Sequence, residues 1–141
     1  SYGLACNRAD LVAAIGVMSG VMLPETCDTR EFTSVVLFHG IADYVLPYEG
    51  SSEFQSVSDV VDFWIAHNSI PASNRESTTL NEGDVERESY TGGNENTSVV
   101  LHTVNKEYSK EGGHVWFTED MAGKSPNKIL WDFLSQYSLD D

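Results

Sequence analysis

Positive charge is scarce in this 141-residue sequence: 8 Lys and Arg stand against 22 Asp and Glu, giving a formal net charge of -14. So acidic a surface repels phosphate backbones and anionic bilayers, which argues against nucleic acid and charged membranes as partners. Long apolar runs are lacking as well, none approaching the roughly 18 residues of a membrane span. Cysteine occurs only at Cys6 and Cys27, an even count that permits one disulfide without requiring it, and neither sits in a C-x-x-C or metal-ligand spacing. Also missing are H-E-x-x-H, a calcium-loop pattern, a P-loop and G-x-G-x-x-G, so neither a metal nor a cofactor is expected. The nucleophile-elbow pattern G-x-S-x-G is absent too, because Gly16-Val17-Met18-Ser19-Gly20 has the wrong spacing. The chain opens on Ser1 with no basic-then-apolar leader, and without an initiating methionine this says nothing about secretion.

What is present is ordinary globular material, 40% hydrophobic and 11% aromatic, and 141 residues suffice for one domain with a core. No repeat, low-complexity tract or second domain is visible, so residues 1–141 read as one unit. Its centre is Val35-Val36-Leu37-Phe38-His39-Gly40, a short unbroken apolar run closed by a turn residue, as expected of a strand covered on both faces. Loops beyond the C-terminal ends of such strands carry the chemistry of α/β proteins, which singles out Asp43.

The other elements follow from pattern. Ser1 to Asn7 reads as the end of a helix, Leu11 to Met18 as a buried strand and Val21 to Thr33 as a loop. Ser56 with Asp59 forms a capping signal ahead of Val57, Val60, Val61, Trp64 and Ile65, spaced as one helix face. Ser73 to Asp84 is polar and reads as a loop, while Val85 to Thr91 and Ser98 to Val104 flank Gly92-Gly93-Asn94 as a hairpin whose second strand lies deeper. Asn105 to Glu111 is charged and exposed. Ser125-Pro126 starts a last helix with the stripe Ile129, Leu130, Phe133, Leu134 and Tyr137, before a frayed tail, Leu139 to Asp141. The predicted architecture is α/β with at least three sheet strands.

Of four histidines, His39, His67 and His102 read as structural, hydrogen-bonded imidazoles within or beside regular elements. His114 differs, since Gly112-Gly113 place it on a loop with backbone freedom and close approach. An imidazole there can act as a general base, and a buried aspartate such as Asp43 can fix its tautomer. An acid and a base are thus present without a nucleophile.

Three segments, Leu4 to Ala14, His39 to Gly50 and Gly112 to Trp116, resemble in order the C-terminal part of the polyhydroxybutyrate depolymerase and feruloyl esterase group of α/β-hydrolases. The resemblance implies a mostly parallel sheet flanked by helices, with Asp43 as triad acid and His114 as triad base. In that group the serine of G-x-S-x-G-G precedes the helix ending in Leu-Ala-Cys, which puts it roughly six residues upstream of Ser1 and leaves this chain inactive alone. It also implies pairing of Cys6 with Cys27, an oxidising extracellular location, and an ester substrate of polyester or hydroxycinnamoyl type. Tyr48 and Trp116 are the aromatics nearest the two loops and are candidate substrate contacts. The group writes proline after the tryptophan of the histidine loop, where this chain has Phe117, and Asn105 to Glu111 is longer and more charged than usual, so the pocket differs in shape. A hydrolase cut here leaves the edge of its first strand unpaired. A non-catalytic α/β binding module, and a serine peptidase on the same fold, are alternative readings of the same residues.

Overall fold

The computed structural model describes residues 1–23 and 27–139; Asp140 and Asp141 of the expected tail, and residues 24–26 of the expected loop, lie outside the described residues. Five strands form one sheet: β1 (Ala14–Met18), β2 (Ser34–Gly40), β3 (Arg75–Leu80), β4 (Val85–Tyr90) and β5 (Val99–Val104), in the order β1-β2-β5-β4-β3. Three helices accompany it, α1 (Tyr2–Asn7), α2 (Val57–His67) and α3 (Pro126–Leu134). The fold is a mixed α/β domain.

Every residue of β2 is buried, as a continuous apolar run with neighbours on both sides requires. Alternation then divides its side chains between two cores. Val35 and Leu37 join Ile15, Val17, Val99 and Leu101 beneath α1 and α2, with Tyr2, Val60, Val61 and the fully buried Trp64. Val36 and Phe38 face the opposite side, with Val104, Phe117, Met121 and Phe133 of α3. Both long helices start as their caps predict: Ser56 Oγ accepts from Asp59 N at 3.0 Å, and Ser125 Oγ accepts from Lys128 N at 3.2 Å with Pro126 in the first turn.

Three expectations are corrected. The sheet is not mostly parallel: β1-β2 and β2-β5 pair parallel, but β5-β4 and β4-β3 pair antiparallel. The predicted loop Ser73 to Asp84 contains β3, an edge strand with mostly exposed residues. It lacks apolar alternation because neither face is covered, and cross-strand polar contacts hold it instead: Arg75 to Glu88, and Ser77 and Thr79 to Glu86. The predicted first strand is also shorter, beginning at Ala14, since Ala9–Leu11 form a 3₁₀ turn that leaves Leu11 exposed. The β4-β5 hairpin and the deeper burial of β5 are as expected.

Cys6 and Cys27 form a disulfide, tying α1 to the segment between β1 and β2. Closing a loop of this length contributes about 3 kcal/mol in the chain-entropy account. Among the described residues no helix is long and apolar enough to cross a membrane.

Candidate functional site

Strands β1, β2 and β5 run in the same direction, so the segments following them meet at one edge of the sheet. Two glycines let the second and third come together. Ala42 N donates to Gly112 O at 2.9 Å, and a Cβ on Gly40 would lie 2.1 Å from that same oxygen. A Cβ on Gly112 would lie 1.7 Å from Lys106 O, so neither position admits a side chain. The close approach expected of Gly112-Gly113 is therefore present. The backbone freedom is elsewhere, at Glu111, whose φ is 63°. Its carboxylate accepts from Thr118 N at 3.0 Å, from Glu119 N at 3.1 Å and from the Thr118 hydroxyl, closing the loop that carries His114.

Asp43 is buried at the turn after β2, and its carboxylate accepts three hydrogen bonds. Oδ1 accepts from Val45 N at 3.0 Å and Leu46 N at 2.8 Å. Oδ2 lies 2.9 Å from His114 Nδ1 and 3.3 Å from His39 Nε2. A carboxylate can only accept, so His114 carries its neutral-form proton on Nδ1 and presents Nε2 as a lone pair. The His114 side chain is 36% exposed, whereas the Asp43 side chain has no exposed surface, so the pair has a buried acid and an accessible base. Among the described residues, no serine, threonine or cysteine side chain is hydrogen-bonded to His114.

The remaining predicted positions divide. Tyr48 is half-buried behind the aspartate loop, its hydroxyl 2.7 Å from Thr103 Oγ1 and its ring edge-on to His39; burial pushes its phenol up from the ordinary value. That makes it a support of the site and places it away from the opening. Trp116 is 59% exposed, its indole N–H donating to Asn127 Oδ1 at 2.8 Å. It borders a groove of about 510 Å³ along the free edge of β1, lined also by Tyr2, Met18, Leu23 and Leu130. The groove does not include Asp43 or His114, but Ser19 Oγ, donating to Val115 O at 2.7 Å, fastens the end of β1 to the histidine loop between them.

Three features of the site are not in the sequence reading. His39 was expected to be structural, and its Nε2 does bond to Leu46 O at 2.8 Å, but the same atom faces Asp43. The spacing of four residues across a tight turn, His39 to Asp43, was the available signal. Glu111 carried no signal beyond its position before Gly112. The segments that carry Asp43 and His114 expose Ile41, Tyr44, Val45, Tyr108, Val115 and Trp116, an apolar collar to these loops in which Tyr44 and Tyr108 stack at 5.8 Å. Among the described residues no three His, Cys, Asp or Glu side chains converge in a way that could hold a metal ion. No known family model matches the chain, and no curated protein matches it.

Proposed function

We propose that the protein is a secreted serine esterase of the polyhydroxybutyrate depolymerase and feruloyl esterase type, hydrolysing carboxylic esters by acyl transfer. In this reading residues 1–141 are the C-terminal part of an α/β-hydrolase domain. The observation that carries it is the contact of a buried Asp43, held by two backbone amides, with Nδ1 of an accessible His114. Two further features support it: the acid follows β2 and the base follows β5, neighbouring parallel strands, and the disulfide fits an oxidising compartment.

The nucleophile is a serine from residues outside these 141, delivered along the groove beside β1. His114 Nε2 takes the serine proton as the oxygen attacks the ester carbonyl, and Asp43 stabilises the imidazolium that results. His114 returns that proton to the leaving alcohol, and the acyl-serine forms. Water then attacks the acyl-enzyme with His114 again as base, releasing the carboxylic acid and restoring the serine. The apolar collar suits an acyl or polymer chain with little charge.

The test is a substrate panel offered to the protein together with its upstream residues: p-nitrophenyl acyl esters, a hydroxycinnamoyl ester, polyhydroxybutyrate film and a peptide amide. Release of acid from one or more of the esters, lost in His114→Ala, supports the reading. Turnover of the amide alone would replace it with a peptidase.

A further inference from the structure

His39 does more than fill space. It is 2% exposed, and its Nε2 lies between two acceptors, Leu46 O at 2.8 Å and Asp43 Oδ2 at 3.3 Å. A carbonyl oxygen cannot donate, so the proton between His39 and Leu46 belongs to Nε2 and is directed at Leu46 O. The Leu46 amide in turn donates to Asp43 Oδ1 at 2.8 Å. His39 therefore bonds to the carbonyl of the residue whose amide holds the carboxylate, with Asp43 Oδ2 in close contact beside the same nitrogen. Tyr48 packs edge-on against the imidazole at 5.8 Å and holds the ring of His39 in its plane.

We propose that His39 is a positioning residue: by holding the Leu46 carbonyl, its Nε2–H fixes the turn whose Leu46 amide binds Asp43 Oδ1, and so keeps Oδ2 directed at His114 Nδ1. The proposal rests on the acyl-transfer reading for its consequence in turnover, and on geometry alone for its effect on His114. One carboxylate flanked by two imidazoles needs them to differ, and here they do. His39 is enclosed, and burial lowers its proton affinity against the opposing pull of Leu46 O and the Asp43 carboxylate. His114 is the accessible member of the two. A carboxylate pinned by the Val45 and Leu46 amides, in a turn that His39 holds, cannot swing to meet solvent when the imidazolium forms, so the charge partner is in place before the reaction needs it.

The test uses the 141-residue chain with ¹⁵N-labelled histidine, followed by long-range ¹H–¹⁵N spectra from about pH 6 to 8, where ordinary imidazoles titrate. In the unaltered protein neutral His39 is expected to carry its proton on Nε2; a proton found on Nδ1 alone overturns the proposal without any variant. His39→Phe keeps the ring and removes the donor, and His39→Gln restores an N–H near the Nε2 position. In folded His39→Phe the His114 proton is expected to redistribute from Nδ1 toward Nε2, and in His39→Gln to return to Nδ1. An unchanged His114 tautomer in folded His39→Phe overturns the proposal. In the protein with its upstream residues, His39→Phe is expected to lower ester-hydrolysis kcat about 10-fold to 100-fold at constant KM, with Gln recovering most of it. Should the spectra behave as expected while the unaltered protein hydrolyses no ester, the esterase reading fails and the positioning role stands. Should esters be hydrolysed with kcat unmoved by His39→Phe, the positioning role fails alone.

Discussion

The two sides of the sheet are made of different material. Strands β1, β2 and β5 carry Ile15, Val17, Val35, Val36, Leu37, Phe38, Val99 and Leu101, covered by helices on both faces. Strands β4 and β3 carry Arg75, Glu76, Ser77, Glu86, Arg87 and Glu88, half-buried in β4 and mostly exposed in β3, and held by polar pairs. The apolar side fixes strand ends to within the tolerance that a carboxylate–imidazole contact of 2.9 Å needs, and Asp43 and His114 stand there. The hairpin side can lose individual contacts without disturbing anything beyond it. His102 sits on the boundary: it belongs to β5, stacks on Phe38 at 4.2 Å and pairs in register with Arg87 of β4.

This contrast predicts a graded set of effects. The largest falls at the edge of the apolar side: in the complete protein Asp43→Asn should lower kcat for ester hydrolysis about 10⁴-fold with the circular dichroism spectrum unchanged. The isosteric change Glu88→Gln in the hairpin should leave kcat within about twofold, and a larger loss there would break the division between the two sides. Next is Trp64→Ala, which empties the most deeply buried aromatic under the parallel strands. Urea unfolding should show a loss of about 3–5 kcal/mol.

His102 supplies an intermediate effect with a defined pH window. Burial, helped by nearby Arg87 and opposed by the Nδ1–H bond to Leu37 O, moves its pKa from 6.5 down to about 4. The unfolded chain therefore takes up this proton first. Stability from this residue is complete above pH 6.5, falls as pH drops, and levels off below about 4. Relative to His102→Phe, the unaltered protein should lose about 3 kcal/mol across that interval, read from denaturant unfolding at several pH values. A parallel pH dependence in the two proteins would show that His102 is not the group responsible. The smallest effect is Glu88→Ala, which removes the exposed pair with Arg75 and should cost under about 1 kcal/mol.

The same contrast explains what the sequence could show. Strand β2 was legible because an apolar run bounded by Gly40 has few other uses, and α2 and α3 because each pairs a serine cap with a stripe of period 3.6. Strand β3 was hidden because Arg75-Glu76-Ser77-Thr78-Thr79-Leu80 has no buried face to impose alternation; its partner strand, not its own composition, makes it a strand. The mixed pairing of the sheet followed from that omission. Asp43 and His114 were found through their loop positions, and the distance between them depends on Gly40 meeting Gly112 at the backbone, a contact between residues far apart in the chain. His39 is the buried, hydrogen-bonded imidazole its pattern suggested, and its nearness to Asp43 was hidden because only the folded turn brings the carboxylate to the same nitrogen.

The central claim is that Asp43 and His114 activate a serine lying upstream of Ser1. Fluorophosphonate labelling of the complete gene product, followed by peptide mapping, tests it most directly. The account predicts one labelled serine, located before Ser1, with labelling abolished by His114→Ala. A labelled serine within these 141 residues, or labelling that persists undiminished in His114→Ala, would contradict it.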